Sequence, residues 1–254
     1  MRFLRVLDLD DFLMANVHDY AEPIAQAALL IIRELGVKAP HIATIIGIEE
    51  EIDTRRVQEV NPATGKKFLY SMERFPGTLV ETYREIARRT GQPTLEEIEI
   101  ELYRIGMGAF DERRYAENVD PEARDTLEFL KGKGDVLVLC TKGDTRVQEN
   151  KVRALRSAGI TQYLDAIEIV DSKSAETFAR IAGNFSGTKA FSAGNSYKSD
   201  IVPALEAGYT GIFLPVETWE EIGKPDELLS VVDKSRCHVI FRLREMRTRY
   251  EELR

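Results

Sequence analysis

The 254-residue chain has only two cysteines and three histidines, and each shortage closes off a class of protein. Two cysteines cannot build a disulfide framework, and Cys140 lies inside an apolar run where it reads as a small core residue. A reducing cytoplasm is the expected compartment. His18, His41 and His238 are scattered, with no second nitrogen or thiolate at zinc spacing, so surface or capping roles are expected of them. Long hydrophobic runs are also missing. The most apolar stretch, residues 27–32, is followed at once by Arg33 and Glu34, far short of the roughly 20 apolar residues that span a bilayer. Arg2, Arg5, Asp8, Asp10 and Asp11 crowd a short apolar segment at the start, which is not the pattern of a secretion signal. Basic residues are outnumbered, 35 against 43 acidic ones, for a net charge of −8. Neither nucleic acid nor an anionic membrane is therefore an expected partner.

What is present is ordinary globular composition, 43% apolar and 31% charged, in a chain long enough for one large core or two modest ones. The second half alternates short β-rich runs, at 135–141, 166–173, 189–195 and 211–215, with segments of helical periodicity at 147–157, 175–182 and 200–207. Gly159, Gly183 and Gly208 follow or close those segments as C-cap glycines would. Such alternation predicts βαβ units and a parallel sheet. FLRVLDLDD at 3–11 reads as one more strand. Residues 15–120 differ: the segments 22–35, 41–60, 78–89 and 94–107 space their apolar residues three and four apart, and none alternates as a strand would. A turn-rich stretch at 61–77 divides the first helical pair from the second. The expected organisation is an α/β core made of residues 1–14 and 115–254, interrupted by a helical insert at 15–114. The C-terminal HVIFRLREMRTRYEELR starts as an edge strand would and ends as a charged helix.

In an open parallel sheet, ligands bind outside the carboxyl ends of the strands. The strand at 3–7 delivers Asp8, Asp10 and Asp11 to that rim; the later strands deliver Thr141, Ser172 and Lys173, and then Gly194, Asn195, Ser196 and Asp200. In an extended segment Asp8 and Asp10 share a side, and two such carboxylates call for a cation between them. A hard divalent ion with Asp200 as a further ligand would meet that need.

The runs VLDLDDFL at 6–13, LCTKGD at 139–144, VDSK at 170–173 and GNSYKSD at 194–200 resemble, in order, the four motifs of the haloacid dehalogenase superfamily, in its phosphatase branch. The resemblance covers the α/β part of the chain. It implies a doubly wound, Rossmann-like parallel sheet with a helical cap domain, and a magnesium-dependent phosphatase that hydrolyses a small phosphorylated metabolite through an aspartyl phosphate. Asp8 matches the nucleophile and Asp10 the general acid/base. Thr141, Lys142, Lys173 and Asn195 match phosphate- or substrate-contacting positions, and Asp8, Asp10 and Asp200 match the holders of Mg²⁺, Asp10 through its backbone carbonyl. A phosphoryl group in transfer spreads charge over its oxygens, so positioned cations and donors of this kind suit the chemistry.

Two positions depart from the family pattern. Phe12 stands where Thr or Val is usual, putting a bulky ring beside the metal loop, and Asn195 stands where many members have another aspartate. The spacing places the insert after the first motif: 133 positions separate Asp8 from Thr141 and only 32 separate Thr141 from Lys173. In this family such caps choose the substrate. Lys66, Lys67, Tyr70 and Arg74 are the candidate substrate-facing groups, a solvated loop being the other reading. TGKK at 64–67 is no Walker loop, because position 60 is Val60 and no strand precedes it. The acidic run 49–53 reads as a solvated helix face. Two alternatives stand beside the phosphatase: a 2-haloacid dehalogenase, against which Asp10 and Asp200 count, and a catalytically degenerate binding protein disabled around Phe12. The substrate and the oligomeric state are not legible.

Overall fold

The computed structural model describes residues 2–185, 189–217, 229–230 and 232–254. The chain divides into two compact units, Met1–Val17 with Tyr115–Arg254, and His18–Arg114.

Among the described residues, the first unit is built on six parallel strands: β1 (Phe3–Leu7), β2 (Val136–Lys142), β3 (Ala166–Val170), β4 (Lys189–Gly194), β5 (Thr210–Phe213) and β6 (Cys237–Val239). Their order in the sheet is β3-β2-β1-β4-β5-β6, so the winding direction reverses between β1 and β4. Every residue of β1 is buried, as expected of a central parallel strand covered on both faces. On one face Leu4, Val6, Val136, Val138 and Cys140 pack with Phe178, Ile181 and Ala204 of the crossover helices. The other face buries Arg5, whose guanidinium pairs with Asp135 at 2.6 Å and lies over the rings of Phe3, Phe191 and Tyr250. Tyr250 donates its hydroxyl to the same carboxylate, and Arg5 reaches the Leu253 carbonyl. This unit thus closes on itself through a buried charge pair.

β1 stops at Leu7, shorter than the run at 3–11 predicts, because Leu13 and Met14 both return their N–H groups to the Leu9 carbonyl and Asp11 takes φ 56°. The segments leading away at residue 15 and back at 118 are pinned together: Ala15 N–H donates to the Asn118 carbonyl and Asp120 N–H to the Leu13 carbonyl, both at 2.9 Å. After α5 (Glu112–Glu117) and α6 (Ala123–Gly132), α7 (Thr145–Ser157) is N-capped by Asp144, and α8 (Ala175–Asn184) by Ser174. Gly159 and Gly208 take positive φ as C-cap glycines do, but Gly183 lies inside α8, whose C-cap is Phe185. The segment expected as one helix at 200–207 opens instead as a π turn, Tyr197–Ile201, and then continues as an α-helix, Val202–Glu206. The C-terminal run does form the edge strand β6, followed by a short helix, Glu245–Thr248.

The second unit is helical: α1 (Ala21–Leu35), α2 (Ile42–Arg56), α3 (Arg74–Thr90) and α4 (Glu96–Gly108). Its α3 and α4 approach so closely that a Cβ on Gly106 would collide with Pro76. The acidic run is a solvated face only at Glu50 and Glu51, which are exposed. Glu49 shares the inward side of α2 with Ile45, Ile48 and Ile52 and is buried, and Asp53 pairs with the buried Arg74. Helical periodicity explains the correction, since position 49 follows position 45 by four. His41 caps α2, its Nδ1 accepting from Ala43 N–H. Among the described residues, no helix is long and apolar enough to cross a membrane.

Candidate active site

The winding reverses between β1 and β4, and the groups leaving those two strands meet at their carboxyl ends. Asp8 follows β1 directly, its N–H still bonded to Ala193 of β4 at 2.9 Å. Asp200 comes from the π turn after β4 and folds back over it. Ser196 N–H donates to Asp200 Oδ2 at 2.9 Å, and Ser192 Oγ donates to the Asp200 carbonyl at 2.7 Å. Gly194 is required there, because a Cβ at that position would run into the Asp200 carboxylate. Lys173, from the loop after β3, places its Nζ 2.5 Å from Asp8 Oδ1 and 2.6 Å from Asp200 Oδ1. All three side chains are at least nine-tenths buried.

Burial pushes the Asp8 carboxyl up, the Asp200 charge adds to that, and Lys173 opposes it. For Lys173 burial alone would lower the ammonium, and the charges of Asp200 and Asp8 more than reverse it, holding it above the usual range. One lysine therefore stands between two buried carboxylates. The trio carries a surplus of negative charge.

Asp10 goes elsewhere. The regular strand pairing ends at Leu7, but the Asp10 charge still acts on Asp8. Lys151 Nζ donates to Asp10 Oδ1 at 2.6 Å, and Gln148 Nε2 donates to Oδ2 at 3.2 Å. The same glutamine accepts the Thr141 hydroxyl at 2.9 Å, so in this state that hydroxyl points at Gln148. Lys142 is exposed and reaches Ser199 Oγ at 2.9 Å; Asn195 is buried at the end of β4. Phe12 is buried in the interior. Asp11 accepts from Asn16 and Val17 N–H with one carboxylate oxygen, at 2.8 and 2.9 Å, which makes it a turn-former. Among the described residues, no group of three or more His, Cys, Asp or Glu side chains is gathered as a metal cluster.

Of the cationic and aromatic groups suspected at 61–77, Arg74 belongs to the first turn of α3 and is spent on Asp53, with Tyr70 beneath its guanidinium. Lys67 donates to Gln58 at 2.8 Å. Reasoning from motifs missed Gln148 and Lys151. The available signal was their spacing of three on one helix directly after the Thr141 segment, which puts both on one face.

Six parallel strands in this order, flanked by helices, with acidic and basic side chains gathered where the winding reverses, define a doubly wound α/β protein whose candidate site is at the switch point. Its fold is that of the haloacid dehalogenase-like hydrolases. A haloacid dehalogenase-like hydrolase from Xanthomonas campestris is 20% identical, over 99% of this chain and 96% of that one, with a TM-score of 0.63. A proposed β-phosphoglucomutase from Thermotoga maritima is 17% identical over 99% and 100%, with a TM-score of 0.57. A proposed HAD hydrolase from Bacillus subtilis, bound to magnesium, is 15% identical over 99% and 100%, with a TM-score of 0.54. No family model and no curated protein matches the sequence.

Proposed function

We propose that the protein is a phosphoric monoester hydrolase acting on a small phosphorylated metabolite in the cytoplasm, with Asp8 as nucleophile. The observation that carries this reading is Lys173 Nζ held between Asp8 and Asp200 at the switch point. An attacking carboxylate and an anionic ester repel each other, and a buried ammonium at the point of attack offsets that repulsion.

The oxygens present also suit a hard cation. Asp8 and Asp200 carry more negative charge than Lys173 neutralises, and burial has already displaced the Asp8 carboxyl upward. Mg²⁺ binds through one or two carboxylates and keeps several waters, so Asp8, Asp200 and the Asp10 backbone carbonyl would hold it. When bound, it supplies charge neutralisation to the phosphoryl oxygens. The magnesium in the Bacillus subtilis structure supports this assignment.

In the reaction, a carboxylate oxygen of Asp8 attacks phosphorus and the ester P–O bond breaks. Asp10 enters this step in its protonated form, gives that proton to the leaving oxygen and then stands against Lys151 as a carboxylate. Ionised Asp10 then takes a proton from water, whose oxygen attacks the aspartyl phosphate; the acyl phosphate P–O bond breaks, releasing phosphate and restoring Asp8. Thr141 and Lys142, at the end of β2, and Asn195, at the end of β4, are the further phosphate- and substrate-contacting groups, and the helical unit is assigned the selection of substrate. A dehalogenase would need neither the second acid nor Asp200, so the phosphatase reading uses more of the site. Acid-quenching the enzyme during turnover of p-nitrophenyl phosphate should yield a phosphoryl adduct on the peptide carrying Asp8. Turnover with the adduct on a different peptide would refute the assignment.

A further inference from the structure

Lys151 is an expensive residue to bury. It is 2% exposed on the inner face of α7, beside Gln148 at 3%, and a buried ammonium is tolerated only when its donors and its charge are met. Both are met by one carboxylate and its neighbour: Nζ lies 2.6 Å from Asp10 Oδ1 and 2.7 Å from Asn16 Oδ1, with the Tyr115 ring centroid 5.3 Å away. Gln148, one turn earlier, holds the other oxygen of Asp10 and ties it to Thr141. Room for that amide is left by Gly143, at φ 145°, where a Cβ would lie 2.9 Å from Gln148 Nε2. Two donors from one rigid helix thus fix the plane of the Asp10 carboxylate. An apolar pair of similar size would stabilise the unit at least as well, so a core-filling role does not account for this arrangement.

We propose that Lys151, aided by Gln148, is the positioning residue for Asp10, orienting the carboxyl that handles the proton of the leaving oxygen and of the attacking water. The proposal rests on the phosphatase reading and adds to it a pair of residues outside the four motifs. Lys151 touches neither substrate nor reacting atoms; it acts through Asp10.

Leaving-group dependence separates this role from a structural one. p-Nitrophenolate departs without a proton, whereas the alkoxide of glycerol 2-phosphate needs one. Lys151→Met should lower kcat/KM for glycerol 2-phosphate about 10–100-fold and for p-nitrophenyl phosphate by no more than about threefold, with KM little changed. Combining it with Asp10→Asn should give no further loss beyond Asp10→Asn alone, because the two act as a unit. Gln148→Leu, which leaves the ion pair intact, should shift the same ratio in the same direction by a smaller factor, and serves if Lys151→Met does not fold. A crystal structure of either variant should show the Asp10 carboxylate turned from its present plane, a readout that needs no turnover. Equal losses on both esters, full additivity with Asp10→Asn, or an unmoved carboxylate would overturn the proposal. Asp8→Asn in the same series distinguishes the two levels: an inactive Asp8→Asn beside a Lys151→Met of unchanged ester ratio overturns the positioning role alone, and a fully active Asp8→Asn overturns both.

Discussion

Glu49 should make the stability of this protein fall as pH rises through neutrality, and Glu49→Gln should abolish most of that dependence. The side chain lies on the buried side of α2 beside a small cavity lined by Ile24, Ala27, Ala28, Ile31 and Ile45. Burial and the nearby Asp53 push its carboxyl up from 4.5 to about 8, with Arg74 opposing. The folded state therefore binds this proton more tightly than the unfolded chain, and between those two values the folded state holds the larger number of protons. Stability falls with pH wherever that is so. At about 1.4 kcal/mol per pH unit, the span from 4.5 to about 8 amounts to at most on the order of 5 kcal/mol. Urea unfolding followed by circular dichroism, on wild type and Glu49→Gln at pH 5 and pH 8.5, reads it directly. At pH 5 the two should lie within about 1 kcal/mol of each other, since a neutral acid and an amide differ little; at pH 8.5 the variant should be ahead by several kcal/mol. A wild-type-to-variant difference that is the same at both pH values would refute the reasoning.

Other expectations follow from single contacts. Asp135→Ala strands the fully buried Arg5 and should cost about 3–5 kcal/mol, lowering Tm by roughly 10 °C in a scanning calorimeter; a shift within a degree or two would show that the pair is solvated or dispensable. Gly194→Ala puts a methyl into the Asp200 carboxylate, so phosphatase activity should fall at least about 100-fold while circular dichroism stays native. Retained activity would mean that Asp200 has another workable position.

The fold was legible because parallel strands buried on both faces announce themselves as apolar runs, and 136–140 and 211–213 do so plainly. What lay between them was legible as helix for the same reason of period. Three features were not. The strand ends at Leu7 and Asp11 takes a left-handed φ, a bend that no period marks, and no period shows that Asp10 meets Lys151 there. Glu49 looked solvated because it belongs to an acidic run, yet its neighbours four residues before and three after are isoleucines facing the core. Arg74 looked free in a turn, and its partner Asp53 is twenty-one residues away in the same helical unit. Motifs locate residues along strand ends; they do not report what a neighbouring helix brings to meet them, and that is where Gln148 and Lys151 enter.

Phosphate-ester hydrolysis by Asp8 with a divalent cation is the proposed activity. It is tested most directly by p-nitrophenyl phosphate hydrolysis in wild type and Asp8→Asn, each with Mg²⁺ and with EDTA. Wild type with Mg²⁺ should turn over, Asp8→Asn should lose at least about 1,000-fold, and chelation should abolish turnover until Mg²⁺ restores it. Turnover that survives Asp8→Asn unchanged, or that is indifferent to EDTA, would contradict it.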